Sequence, residues 1–131
     1  NHQEPALSYL GEKENIHLYS LSLYSFDTED KLQEIPSGDV YLVDALHTKW
    51  AVLSDISNCI SHKPNSKDRY IIFDDYGTYP EVKAGIDESI EDGKLEIVRF
   101  IGQPAGWSFG PPAEDNERLL KDWEGLVCKV K

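Results

Sequence analysis

The chain has 131 residues and a net charge of −11, and 40% of its residues are hydrophobic and 11% aromatic. This length and composition are typical of one globular domain and exclude a disordered chain. The acidic charge repels phosphate backbones and argues against a nucleic-acid partner, and no apolar run approaches the roughly 18 residues of a membrane span.

The acid excess and the cysteines further narrow the class of protein. The excess of carboxylates either favours a cation or a basic partner, or simply keeps the domain in solution. Cys59 and Cys128 are far apart and form no CxxC pair, so a zinc site built from them is not expected. Nothing in the sequence demands an oxidising compartment, and we expect a cytoplasmic protein with no membrane partner.

The N-terminal part predicts two short helices and one strand. Residues 4–11 suit a helix, with a proline early in it and a glycine at its end. Residues 16–23 alternate apolar and polar with one slip, which predicts a strand with a bulge or an early end. Asp27 or Thr28 then begins a second short helix.

The middle of the chain alternates apolar strands with amphipathic helices. Residues 40–43 and 70–73 are short apolar runs that predict buried strands. Apolar residues at helical spacing follow the first run from Thr48, and they follow the second run from Pro80 until Gly93 ends the helix. Strands that alternate with helices in this way predict an α/β domain with a mostly parallel sheet and flanking helices.

The C-terminal part predicts two further strands around a long loop. Residues 95–101 alternate well enough for a strand, and residues 125–130 form a final strand. Because no helix separates these two strands, we expect the last one to insert antiparallel. Residues 102–117 are rich in proline and glycine and predict either a lid over the carboxyl edge of the sheet or an ordered loop. Trp50 and Trp123 are expected in the core.

Acidic residues stand where both central strands end. Asp44 follows the first strand, with His47 three residues further on, and Asp74 and Asp75 follow the second strand. Ligands of open α/β sheets bind at this carboxyl edge. Adjacent carboxylates also repel each other and need water, a cation or a base beside them. The sequence therefore predicts an acidic cluster along one edge of the sheet.

Three motifs carry a family resemblance. They are Val-Asp-Ala-Leu-His-Thr-Lys-Trp at 43–50, Phe-Asp-Asp-Tyr at 73–76 and Val-Lys-Ala-Gly-Ile-Asp at 82–87, followed by Phe-Ile-Gly at 100–102. Together they resemble the C-terminal part of class I S-adenosylmethionine-dependent methyltransferases, and most closely the macrocin-type sugar O-methyltransferases. The resemblance covers about residues 15–131 and implies a truncated Rossmann-like methyltransferase fold with a final antiparallel strand.

The resemblance also implies a site and a small-molecule acceptor. It implies that Asp44, Asp74 and Asp75 hold a divalent cation, for which Mg²⁺ is well suited. It implies that His47 is the base that takes the proton from the acceptor hydroxyl. The alternative for the acids is that they cap the helices that follow, and the alternative for His47 is a simple hydrogen bond to a nearby carboxylate.

One part of the family pattern is missing from the sequence. A Gly-rich turn of the Asp/Glu-x-Gly-x-Gly type normally helps to bind S-adenosylmethionine, but Gly11 stands alone before residue 38. We therefore expect either a fragment without the N-terminal cofactor-binding strands or a domain that has lost the cofactor pocket. The sheet edge exposed by such a loss predicts a homodimer. The two hypotheses are a metal-assisted O-methyltransferase domain and a non-catalytic α/β domain for oligomerisation or binding.

Overall fold

The chain divides into two compact units, residues 1–35 and residues 36–131. The computed structural model describes residues 16–17, 19, 22–25, 27–44, 46–62, 68–104 and 123–131. The helix predicted over residues 4–11 and the loop beyond residue 104 lie outside the described residues. The prediction of a single domain over residues 1–131 stays a prediction.

The first unit contains the short helix α1 (Thr28–Leu32), where a helix was predicted. Its start is held by Thr28, whose Oγ1 donates a hydrogen bond of 2.6 Å to the carbonyl of Ser25. The strand predicted over residues 16–23 is not found in the described part of that segment, since residues 16, 17, 19, 22 and 23 lie outside any strand. The slip in the alternation explains this result, because it leaves no continuous apolar face.

The described residues of the second unit form two helices and four strands. The helices begin and end close to the predicted residues, and α3 opens with Pro80, whose missing N–H is not needed in the first turn. Gly93 follows α3 with a φ of 75°, a conformation that glycine adopts without strain. In chain order the elements are β1 (Val40–Val43), α2 (Lys49–Ser61), β2 (Tyr70–Phe73), α3 (Pro80–Glu91), β3 (Leu95–Pro104) and β4 (Trp123–Val130).

The four strands form one open, mixed sheet in the order β1-β2-β4-β3. β1 and β2 are parallel, whereas β4 is antiparallel to both β2 and β3. The predicted α/β class and the final antiparallel strand are confirmed. The prediction of a mostly parallel sheet is wrong, because β4 lies between β2 and β3 and makes two of the three pairings antiparallel.

The helices α2 and α3 cover one face of this sheet. Ile71 and Phe73 of β2 point to that face, and their register partners Cys128 and Leu126 of β4 do the same. All four are at most 1% exposed. They pack with apolar residues of both helices: Val52, Ile56, Val82 and Ile86. The expected core positions of Trp50 and Trp123 are wrong, since these side chains are 59% and 41% exposed.

The strand β1 lies at one end of the described sheet. Tyr41 and Val43 pack against the core, while Val40 and Leu42 alternate to the other side and are 57% and 71% exposed. Within the described residues, no other strand pairs with the outer edge of β1. No described helix is long and apolar enough to cross a bilayer. The predicted homodimer stays a prediction.

Candidate functional site

The loop after β1 brings Asp44 and His47 to the carboxyl edge of the sheet. Asp44 is exposed and follows the last residue of β1, while His47 is half-buried just before α2. Thr48 is the N-cap residue of α2, and no side-chain hydrogen bond caps this helix. The alternative interpretation of Asp44 as a helix cap is therefore not supported.

The turn after β2 separates the two adjacent aspartates. Asp74 continues the strand pairing, with its N–H 3.2 Å from the carbonyl of Val43, and its Oδ1 accepts a 2.8 Å hydrogen bond from the N–H of Asp75. Asp75 has a φ of 62°, a left-handed conformation that is uncommon outside glycine. This reversal directs Asp75 away from Asp74 and towards the loop after β1. Strained residues of this kind cluster at functional sites.

Three side chains from the two loops converge at this edge. Asp44, His47 and Asp75 each offer one ligand atom, and these atoms all lie within 4.8 Å of one another. The shortest link joins His47 Nε2 to Asp75 Oδ2 at 2.9 Å. Two of the three predicted metal ligands therefore come together with the predicted base. Asp74 is not a member of the group.

The environment of Asp75 disfavours its negative charge. Burial raises the pKa of the Asp75 carboxyl, and the charges of Asp74 and Asp44 raise it further, while His47 lowers it. A positive charge at this position would remove the repulsion between Asp44 and Asp75. The electrostatics of this edge therefore favour binding of a cation.

The contact with Asp75 restricts how His47 can act. While Asp75 is ionised its oxygen can only accept, so Nε2 carries the proton of this contact, and in a neutral imidazole the lone pair then lies on Nδ1. Nε2 can serve as a ligand or as a base only after it gives up that proton. The arrangement agrees with the simple alternative, in which His47 only bonds a carboxylate. Nε2, the atom that makes this contact, is also the one that would bind a cation held by Asp44 and Asp75.

Tyr79 completes the surroundings of His47. The two rings stack with centroids 3.8 Å apart and an interplanar angle of 16°. Tyr79 is also the N-cap residue of α3, so the site is framed by the starts of both helices. None of the sequence motifs includes this residue. The available signal was an aromatic residue just before Pro80, four positions after Asp75.

A cavity of about 250 Å³ lies beside the convergent group, and Asp44 lines it. The other lining residues are mainly apolar side chains and backbone from the ends of all four strands: Leu42, Ile72, Phe73, Asp74, Ile101, Gly102, Glu124 and Gly125. An added Cβ at Gly102 would lie 2.6 Å from Oε2 of Glu124. The cavity is large enough for part of a small molecule.

Comparisons with models of protein families, with curated proteins and with solved structures found no match. The likeness to methyltransferases stays a prediction from the motifs at 43–50, 73–76, 82–87 and 100–102. Nothing in the comparisons adds to the geometry of Asp44, His47 and Asp75.

Proposed function

We propose that this chain is a methyltransferase-like domain, related to S-adenosylmethionine-dependent O-methyltransferases, in which Asp44, His47 and Asp75 bind a divalent cation. The observation that carries the proposal is the convergence of their three ligand atoms within 4.8 Å. They come from two loops, one after β1 and one after β2, that meet at the carboxyl ends of these parallel strands. That edge is the usual ligand site of open α/β sheets.

The spacing of the donor atoms supports a cation. In an octahedral site with metal–ligand distances of about 2.1 Å, neighbouring ligand atoms lie about 3.0 Å apart and opposite ones about 4.2 Å apart. His47 Nε2 and Asp75 Oδ2 are 2.9 Å apart, which fits neighbouring ligands. The third donor, on Asp44, lies within 4.8 Å of both and would move closer when a cation binds.

The chemical nature of the donors narrows the choice of ion. Mg²⁺ prefers oxygen ligands and keeps several waters, whereas imidazole nitrogen suits transition ions such as Zn²⁺ or Fe²⁺. Among the transition ions, Mn²⁺ is the one that carboxylates suit best. One nitrogen and two carboxylates therefore favour Mn²⁺ or Zn²⁺ over Mg²⁺. Mg²⁺ would be preferred only if the Asp74 carboxylate took the place of His47 as a ligand. That carboxylate instead accepts a hydrogen bond from the N–H of Asp75 in its own turn.

The proposed role in methyl transfer follows from ordinary acid–base chemistry. A bound cation lowers the pKa of a coordinated hydroxyl, which makes the acceptor oxygen a better nucleophile. Asp44 and Asp75 would hold that charge, and the adjoining cavity would receive the rest of the small-molecule acceptor. His47 would act as a ligand through Nε2 or as a base through the same atom, and not as both at once.

A cation titration tests the proposal. We expect Mn²⁺ to bind the full chain near pH 7 by calorimetry more tightly than Mg²⁺. Asp44→Asn and Asp75→Asn should each weaken binding by at least about tenfold, because each removes a ligand charge. Asp74→Asn is the matched neighbour and should cost much less.

Asp39→Asn provides the remote control, since Asp39 is an exposed acid at the opposite end of β1 from Asp44. It should bind Mn²⁺ like the wild type. If the wild type binds no divalent ion at millimolar concentration, or if Asp75→Asn binds as well as the wild type, the proposed cation site is wrong.

The alternative is a non-catalytic α/β domain that oligomerises or binds a partner without a cofactor. It is favoured by the absence of a Gly-rich cofactor turn in the sequence and by the exposed Val40 and Leu42 on the end strand β1. Adding S-adenosylmethionine separates the two functions. If calorimetry shows no heat and the melting temperature does not change at millimolar cofactor with Mn²⁺ present, an active methyltransferase in this chain is excluded.

The homodimer is tested by light scattering. If two copies pair antiparallel through β1, the acids that flank it, Asp39 and Asp44, come close to those of the second copy. We therefore expect association to strengthen as salt screens this repulsion, and Leu42→Lys to abolish it. A monomer at high protein and salt concentration would rule out this pairing.

A further inference from the structure

The stack between Tyr79 and His47 suggests a role beyond packing. The ring centroids are 3.8 Å apart with an angle of 16° between the ring planes. Both residues are partly exposed, with 40% of Tyr79 and 37% of the His47 side chain accessible. A stack at this exposure buries little apolar surface, so its main effect is on the orientation of the imidazole.

The backbone of one turn delivers both groups that contact His47. The carbonyl of Asp75 accepts hydrogen bonds of 3.1 Å from the N–H groups of Thr78 and Tyr79. Pro80 then begins α3 and fixes the direction of the chain. The Asp75 carboxylate and the Tyr79 ring are thereby held in a fixed relation, and both meet His47 from the other loop.

The two contacts constrain different freedoms of the imidazole. The 2.9 Å contact to Asp75 fixes the position of Nε2 but still allows the ring to turn about that link. The stack fixes the plane of the ring. A metal ion binds a histidine nitrogen along its lone pair, which lies in the ring plane, so the plane decides whether Nε2 faces the point shared with Asp44 and Asp75.

We propose that Tyr79 is a positioning residue that holds the His47 imidazole in the plane needed to bind a cation together with Asp44 and Asp75. This inference rests on the proposed function. The stack requires an aromatic ring and not the phenol hydroxyl, so phenylalanine should replace tyrosine and alanine should not.

The test compares Tyr79→Ala with Tyr79→Phe in the full chain. Tyr79→Ala should weaken Mn²⁺ binding about tenfold, the size expected for a residue that orients a ligand. Tyr79→Phe should stay within about twofold of the wild type. Should Tyr79→Ala fail to fold, Tyr79→Leu keeps apolar bulk without an aromatic face and takes its place.

A spectroscopic signature separates orientation from general stability. In the NMR spectrum, the imidazole protons of His47, assigned with His47→Gln, should show a ring-current shift that Tyr79→Ala removes and Tyr79→Phe keeps. Metal binding equal to the wild type in Tyr79→Ala, with the ring-current shift lost, would overturn the positioning role alone. A wild type that binds no cation would overturn the proposed function and this inference with it.

Discussion

The helix-covered face of the sheet and the carboxyl edge of β1 and β2 follow opposite rules. On the covered face, Phe73 and Leu126 are almost fully buried in regular strands, as their apolar side chains require. At the edge, Asp75 has a positive φ and a raised pKa. Natural chains tend to break local rules where function requires it and to obey them elsewhere.

The hydroxyl groups beside the edge add to this contrast. Oγ1 of Thr48 and Oγ1 of Thr78 are buried without a hydrogen-bond partner. These residues neighbour His47 and Tyr79 in the chain. A buried hydroxyl without a partner costs free energy. These costs add to the positive φ of Asp75, and changes at the edge and on the covered face should have different consequences.

The largest effect on stability is expected for Arg69→Ala, in the structural part of the unit. The Arg69 guanidinium is buried and donates hydrogen bonds of 2.7, 2.6 and 3.3 Å to the carbonyls of Cys59, Ile60 and His62 at the end of α2. Its removal leaves these carbonyls without a donor and should lower the free energy of unfolding by about 3 kcal/mol.

Urea denaturation measures this loss. Arg69→Lys keeps the charge but lacks the planar fork of donors, so it should recover only part of the stability. At temperatures where the variant is folded, its Mn²⁺ affinity should equal that of the wild type. A loss below about 1 kcal/mol would show that water replaces the guanidinium at these carbonyls.

The regular elements could be predicted from the sequence because local signals are sufficient for them. The apolar runs at 40–43 and 70–73 are the observed strands, and Pro80 is the first residue of α3. The insertion of β4 between β2 and β3 could not be located, because pairing between distant segments leaves no local pattern. The exposure of Trp50 has the same origin, since its helix position alone does not say which neighbours cover it.

The candidate site was predicted in part for a related reason. The motif Asp74-Asp75 identified the edge, and Asp44 and His47 were correctly expected there. The positive φ of Asp75 decides which of the two adjacent acids joins Asp44 and His47. A glycine in the sequence would have indicated that conformation, but an aspartate does not. The role of Tyr79 required a contact between two loops, which no spacing along the chain reveals.

A smaller effect of opposite sign is expected for Asp75→Asn. Because the pKa of Asp75 is raised in the folded state, the folded protein binds this proton more tightly than the unfolded chain does. The ionised carboxylate therefore lowers stability above its folded pKa. Asparagine tolerates the positive φ and should raise the melting temperature at pH 7 by about 1–3 °C in the absence of metal.

The pH dependence provides the check on this prediction. The difference between Asp75→Asn and the wild type should shrink as the pH falls and should vanish only below about 4, the ordinary aspartate value, because only there is the wild-type carboxyl protonated in both states. Saturating Mn²⁺ should reverse the order of the two melting temperatures at pH 7, since the wild type binds the ion more tightly and gains more stability from it. A destabilised Asp75→Asn without metal would mean that the contact with His47 outweighs the repulsion at the edge.

The smallest effect is expected for Glu88→Gln, which removes an ion pair with Lys49 between α2 and α3. Glu88 raises the pKa of Lys49, but the two side chains are 42% and 45% exposed. Water and salt screen such a pair and its side chains lose rotational freedom, so we expect no measurable change in melting temperature. A clear loss that disappears at 1 M salt would contradict this expectation. It would also mean that exposed charges, and not only buried apolar side chains such as Val52 and Ile86, hold the two helices together.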